Sequence, residues 1–238
     1  MASWMIHLRV AQAIWEQLQL RESEAFIMGN IAPDSGIPSP DGSGFVPDAA
    51  ITHFRTIDEN GLKDVHEEQF IGRYLKPEKR KAYTARDYAF YYGYLTHLLT
   101  DKLWTQRIAM DARTRFRALY EENRSAFWRR VKRDWYDLDF LYLRDYPDFA
   151  AWRTYAGIVT FDNDLLDFYA RDAFMQRREH ILKFYRDGVA HVERREMYLS
   201  VGELDVFVRD AVDEILRDTA VFARELTELE RLSGQKQK

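Results

Sequence analysis

Cysteine is missing from this 238-residue chain. That excludes disulfides and thiolate metal sites, and leaves any metal to nitrogen and oxygen ligands. No apolar run approaches the roughly 18 residues that a membrane span requires. The N-terminal stretch "MASWMIHLRVAQAIWEQLQL" carries polar and charged residues throughout and lacks the apolar core of a signal peptide, so a cytoplasmic location is the expectation. An excess of one charge is missing as well. The 35 basic and 39 acidic residues are intermixed and sum to −4, which gives no electrostatic case for nucleic acid or an anionic membrane as partner.

What is present suits a packed domain. Hydrophobic residues make up 46% and aromatics 15%, and the length is enough to bury a substantial core. Most of the chain has helical periodicity. In "HLRVAQAIWEQLQL", Leu8, Ala11, Ile14, Trp15 and Leu18 fall on one helix face. Residues from about 84 to 130 read as two long helices. Pro147 suits a helix start, and helical patterns resume to about Asp187, where Gly188 ends or bends one. A last helix begins near Ser200, with Glu203 three residues on as a capping box; Leu204, Val208, Ala211, Ile215, Phe222, Leu226 and Leu229 line its apolar face. The expected organisation is all-α: one helical domain over residues 1–232, and a frayed tail at 233–238. The exception is one long irregular loop at about 29–61, which holds four of the six prolines and five of the eleven glycines. Loops of that length in compact domains are often functional.

Within "YLTHLLTDKLW" (94–104), His97 and Asp101 stand one helical turn apart in an apolar setting. Their Cβ atoms would be about 5–6 Å apart on one face. A metal with bonds of about 2.0–2.2 Å could bridge them, and a structural pair is the alternative, since ionisable groups are costly to bury unpaired. Gly93, on the same face, would leave room beside an ion. His7 lies on the first helical face with Trp4, Ala11 and Ile14. Asp34 sits in the turn sequence "APDSG", and His53 in "AITHF" at the far end of the irregular loop. Together these three histidines and two carboxylates outline a nitrogen–oxygen site.

The stretches "WMIHLRVAQAI", "FIMGNIAPDSG", "ITHF" and "FYYGYLTHLLTDKLW" resemble, in order and setting, the zinc-dependent phospholipase C family. With its relatives the P1-type nucleases, that family is an all-helical, metal-dependent fold for phosphoester hydrolysis. The resemblance spans residues 4 to about 104. It rests chiefly on Gly-x-x-x-Pro-Asp at 29–34 and Gly-Tyr-x-x-His-x-x-x-Asp at 93–101. It implies that His7 is a metal ligand, that Asp34 is a general base or near-metal carboxylate, and that His53, His97 and Asp101 are further ligands, Asp101 able to bridge two ions. Zn²⁺ is the implied ion, one or two in number, with Mn²⁺ or Fe as alternatives.

The chain departs from the family pattern in two places. Secreted members bind a metal through the mature amino terminus, whereas here Met1 precedes Trp4. Those members also carry a second set of ligands ending in His-x-x-x-Glu. Here no histidine follows Asp101 until His180; four residues after His180 stands Phe184, and four after His191 stands Arg195. Asp111, Asp137 and Asp139 are candidates to replace the missing ligands, and spacing does not choose among them. The function expected is hydrolysis of a small-molecule phosphodiester or phosphomonoester by a metal-activated water, with no nucleic-acid partner. The rival is a non-catalytic helical binding or scaffolding protein with a structural metal. Other motifs fall away. "VHEEQF" lacks the second histidine of a zinc protease site, no His-Asp dipeptide occurs, and "DGSGF" lacks the lysine of a phosphate loop. The basic runs at 128–135 and 176–180 are broken by acids and read as solvated helix faces.

Overall fold

Ser3 opens the first helix by accepting from the amide of Ile6, and α1 (Trp4–Leu18) buries Met5, Ile6, Leu8, Val10, Ala11 and Ile14. The short α2 (Ser23–Ile31) follows and runs into a single 3-10 turn, Ala32–Asp34. This computed structural model describes every residue except 40, 42, 43, 60 and 236–238. The segment expected to be one irregular loop is built from small ordered pieces. β1 (Ile37–Pro38) and β2 (Phe45–Val46) form an antiparallel hairpin in which Ile37 faces Val46. The single turn α3 (Ala49–Thr52) leads to a second hairpin, β3 (Arg55–Ile57) with β4 (Lys63–Val65), which pairs Arg55 with Val65 and Ile57 with Lys63.

After α4 (Glu67–Tyr74) and α5 (Pro77–Arg80) comes the centre of the molecule, α6 (Ala85–Trp104). Thr84 and Asp87 cap its start reciprocally. Sixteen of its twenty residues are buried, so it is apolar on nearly every side, as a helix surrounded by others must be. α2 and α6 cross with their backbones in close approach. A Cβ on Gly29 would overlap the Phe90 backbone, and one on Gly93 would overlap the Phe26 carbonyl oxygen. Gly93 therefore lets two backbones meet; it does not leave room beside an ion.

The second long helix expected before residue 130 is divided. A π-helical turn (Thr105–Ala109) continues α6 into α7 (Met110–Arg115) and α8 (Arg117–Glu122). α9 (Arg124–Asp145) then starts afresh, with the Asn123 side chain accepting from the Ala126 amide at 2.9 Å. Pro147 lies in a turn and does not begin a helix. α10 (Ala150–Gly157) begins later, where Gln12 of α1 accepts from the Ala151 amide. Residues 158–172 are not helical, contrary to the periodicity; the Asn163 side chain bonds the Leu166 and Tyr169 carbonyls there. α11 (Ala173–Asp187) ends at Gly188.

Ser200 and Glu203 form the expected capping box of α12 (Val201–Asp218). The single last helix expected from the apolar pattern breaks at Thr219, whose hydroxyl bonds the Ile215 carbonyl and the Tyr92 hydroxyl, and α13 (Ala220–Gln235) follows. Helix thus extends through the first part of the tail expected to fray, and 236–238 lie outside the described residues. Buried Glu230 of α13 accepts from the Arg21 and Glu22 amides, which ties the end of the chain to the α1–α2 turn. Over the described residues the fold is predominantly α-helical with two small hairpins. Among the described residues, no helix is long and apolar enough to cross a membrane.

Candidate metal centre

Three elements that touch α6 bring the candidate residues together. His97 and Asp101 project from α6 itself, His7 from α1, Asp34 from the 3-10 turn after α2, and His53 from the end of α3. The close α2–α6 crossing also puts the Asn30 carbonyl 2.7 Å from His97 Nδ1. A carbonyl can only accept, so Nδ1 carries the proton and Nε2 presents a lone pair. A metal-binding histidine is held in this way. His53 Nδ1 is engaged likewise, 2.9 Å from the Thr52 hydroxyl.

The remaining atoms face one another across short gaps. His7 Nε2 is 3.4 Å from Asp101 Oδ1. His53 Nε2 and His97 Nε2 each lie 3.8 Å from Asp101 Oδ2, and His53 Nε2 is 3.2 Å from Asp34 Oδ1. Ligands bound at about 2.1 Å in a tetrahedron stand about 3.4 Å apart, so these gaps have the span of a shared ion. The His7 and His97 rings are stacked, 3.7 Å apart and 6° from parallel. Two sets, His7–His97–Asp101 and Asp34–His53–His97, have the composition and proximity to hold a metal ion.

Hydrogen bonding within the cluster is incomplete in a telling way. His7 Nδ1 and Nε2, His53 Nε2, His97 Nε2 and Asp101 Oδ2 are all buried with no hydrogen-bond partner. Each such group costs about 1–3 kcal/mol if it stays dry and unpaired. The donor set therefore fits a cation: imidazole nitrogens and carboxylate oxygens converge where hydrogen bonds do not satisfy them.

The electrostatics favour the ligating protonation states. Burial, reinforced by His7, pushes the His97 imidazole down to about 3, so it is neutral at pH 7 despite Asp34 and Asp101 nearby. Burial alone would raise the Asp101 carboxyl. The Met1 amino group, the close approach of His7, and His97 outweigh it and hold the group well below the usual carboxylate range. Its Oδ1 also accepts from the Ala2 amide at 2.8 Å. Asp34 is likewise pushed up by burial, but the close approach of His53 and the charge effects of His97 and His7 hold it below the ordinary range. At 13% side-chain exposure, Asp34 is the most accessible member of the cluster; the other four are between 0 and 2%.

None of the proposed substitutes for a second ligand set reaches this cluster. Asp111 lies on the surface and pairs with Arg115 at 3.2 Å. Asp137 accepts from the His191 amide at 2.8 Å. Asp139 accepts from the Ser3 and Tyr185 hydroxyls at 2.6 and 2.7 Å. All three are held on other elements by other partners. Of the other histidines, His66 precedes α4 and lies 3.0 Å from the Thr56 hydroxyl, and His180 meets the Trp4 ring edge-on.

A cavity of about 380 Å³ opens onto the cluster, with Asp34 and His53 in its wall. Its remaining charged lining is Arg55, Lys63, Lys132 and Arg177, with Trp4 and Trp135 among the aromatics. These cations were not singled out by sequence reading. Arg55 had a usable signal, being two residues from His53; Lys132 had none, since it sits within a run of mixed charge on α9. No protein-family model, no curated protein and no solved structure matches this chain.

Proposed function

We propose that the protein is a metal-dependent hydrolase of phosphoesters, of the zinc-dependent phospholipase C type that residues 4 to about 104 resemble. The observation that carries this reading is the convergence of orphaned nitrogens from three imidazoles and an orphaned carboxylate oxygen beside Asp34, at a cavity with cationic walls. His7, Asp34, His53, His97 and Asp101 are the ligands in this reading, Asp34 serving also as the carboxylate that faces the cavity. The opposed directions of the two Asp101 oxygens, one toward His7 and one toward His53 and His97, support a carboxylate shared by two ions. A nitrogen–oxygen set of this kind suits Zn²⁺, with Mn²⁺ or Fe as alternatives.

A divalent ion bound here would supply Lewis acidity, acidifying a water and polarising a phosphoryl oxygen. Asp34 is the carboxylate in the cavity wall and is held anionic, so it would orient the attacking water; its lowered pKa makes it a weak base, and any proton acceptance there would rest on its position. His97, fixed through Asn30, keeps its Nε2 lone pair directed at the centre. The surrounding cations counter the charge that gathers on the phosphoryl oxygens.

One observation favours a second reading. Asp111, Asp137 and Asp139 are engaged elsewhere, so the described residues offer a single cluster of ligands. A helical binding or scaffolding protein would need no more than that to keep a structural ion. The two readings differ in whether a coordination position stays open to water.

Elemental analysis of the purified, untagged protein tests both against a metal-free site. The expected result is stoichiometric zinc, manganese or iron, lost in His97→Ala while the helical circular dichroism is retained. Turnover of simple phosphoesters by the loaded protein then separates enzyme from scaffold. A wild type that is metal-free and takes up none at micromolar concentration would sink both.

A further inference from the structure

The cavity beside the cluster is charged in a way the chain as a whole is not. The protein carries a net charge of −4, yet four cationic side chains and one acidic one, Asp34, line this cavity. Elsewhere, several part-buried cations have acidic partners: Arg80 with Glu225, Lys102 with Glu67, Arg195 with Asp134; Arg178 is served instead by the Tyr155 and Ala156 carbonyls. Among the described residues, no ion pair joins Arg55, Lys63, Lys132 or Arg177 to an acid. Arg177 is committed locally, donating to the Gly36 carbonyl and lying over the Phe45 ring. Arg55 donates through Nη1 to the Met1 sulfur, a weak acceptor without charge, and among the described residues Lys63 and Lys132 have no side-chain hydrogen bond.

Arg55 and Lys63 belong to the β3–β4 hairpin. Ile57 pairs with Lys63 and Arg55 with Val65, so Arg55 and Lys63 are diagonal neighbours on one face of the ribbon, roughly 7–8 Å apart at the backbone. The same chain segment delivers His53, two residues before Arg55. Lys132 comes from α9. Arg55 Nε is buried and has no hydrogen-bond partner. Burial, with Arg55 and Lys132 adding to it, pushes the Lys63 ammonium down to about 8. Arg55 and Lys63, both part-buried on one face of the hairpin, repel one another and destabilise the free protein unless an anion joins them; Lys132, though exposed, adds to the same positive field at the cavity.

The charge of the metal cluster does not supply that anion. Asp34 and Asp101 carry two negative charges toward one or two divalent ions, and the reacting phosphoryl group adds its own charge at the same centre. The wall calls for a further negative group outside it. We infer, on the hydrolase reading above, that the substrate is a small phosphoester carrying a second phosphate-class dianion a few bonds from the scissile one, bound by Arg55, Lys63 and Lys132. The cavity's size fits a ligand of that scale. A zwitterionic lipid headgroup would leave the wall unmatched.

Calorimetric titration of the full-length protein with propane-1,3-diol bisphosphate and with propyl phosphate tests this, at 0.15 M salt and with metal content measured before and after. The bisphosphate is expected to bind at least tenfold more tightly, beyond the twofold that a second identical phosphate gives statistically. In Lys63→Gln and Lys132→Gln that ratio should fall toward two while metal content stays at the wild-type level. Equal affinities in wild type, or a tenfold ratio that survives both substitutions, would overturn the assignment. So would a short oligonucleotide that binds more tightly than the bisphosphate, since the occupant would then be a nucleic acid. The outcome is independent of the hydrolase reading's own failure. A protein without metal or turnover that still prefers the bisphosphate keeps an anion site and loses the substrate role; a metal-loaded phosphoesterase with no preference loses this inference alone.

Discussion

α6 and α9 are the two longest helices, 20 and 22 residues, and both bury aspartates. The surroundings of those aspartates differ in kind. On α9, Asp134 accepts from the Met197, Tyr198 and Leu199 amides and pairs with Arg195 at 3.1 Å. Asp137 and Asp139 also have donors aimed at them. On α6, Asp101 has one oxygen with no donor and faces imidazole nitrogens that have none either. A buried carboxylate whose acceptors are filled from distant loops is a fastener. One surrounded by other unfilled ligand atoms is incomplete until something else arrives. The contrast separates structural acids from candidate ligands more sharply than burial does, since all four residues are buried.

The largest effect that would break this comparison is on metal-linked stability. Asp101→Asn should lose the ion and with it the stabilisation that binding confers, about 4 kcal/mol when free metal is 1,000 times its dissociation constant. Excess chelator should remove that part of the difference between variant and wild type, as read from urea unfolding curves. Asp134→Ala should cost about 2–4 kcal/mol, because three amides and a part-buried arginine lose their acceptor. That cost should be the same with metal or chelator, and elemental analysis should find the ion unchanged. If instead Asp134→Ala loses metal, or Asp101→Asn is indifferent to chelator, the division between the two helices is wrong.

How far the sequence revealed this division follows from the distances involved. His97 and Asp101 stood out because a four-residue spacing on a helix guarantees proximity, and their apolar neighbours guaranteed burial. His7, Asp34 and His53 had ordinary local explanations, and it was the family resemblance that joined them to the pair. Local chemistry also marked the capping box at Ser200 and the stop at Gly188. The features missed depend on partners far away in the chain. The break at Thr219 is held by Tyr92, 127 residues distant, and Asp139 answers Ser3 across 136 residues. The proximity of Gly93 to Phe26 was equally hidden, so a residue that spaces two helices looked like room for an ion. Asn30 acts through its carbonyl, which every residue has, and no pattern of side chains could have singled it out.

Asp139 offers the smallest and finest test, because it is satisfied by hydroxyls and not by amides or a full cation. Burial pushes its carboxyl up to about 7, with the Ser3 and Tyr185 hydroxyls and Arg9 opposing that shift only in part. An unfolded aspartate titrates near about 3.9. Between those values the folded protein binds the extra proton, so this group's contribution favours folding at low pH. It is lost as pH rises toward 7, at up to roughly 1.4 kcal/mol per pH unit. Asparagine keeps an oxygen for the Ser3 hydroxyl and offers an amide to the Tyr185 oxygen, with no charge to desolvate. Asp139→Asn should therefore match wild type near pH 4 and exceed it by about 1–3 kcal/mol above pH 7, measured by urea unfolding across that range. The metal content should not change. A stability difference that does not vary with pH would mean that the carboxylate is ionised and well served by its two hydroxyls. α9 would then hold a third fully satisfied acid, and Asp101 would be the one buried aspartate of the four whose acceptors still await a partner.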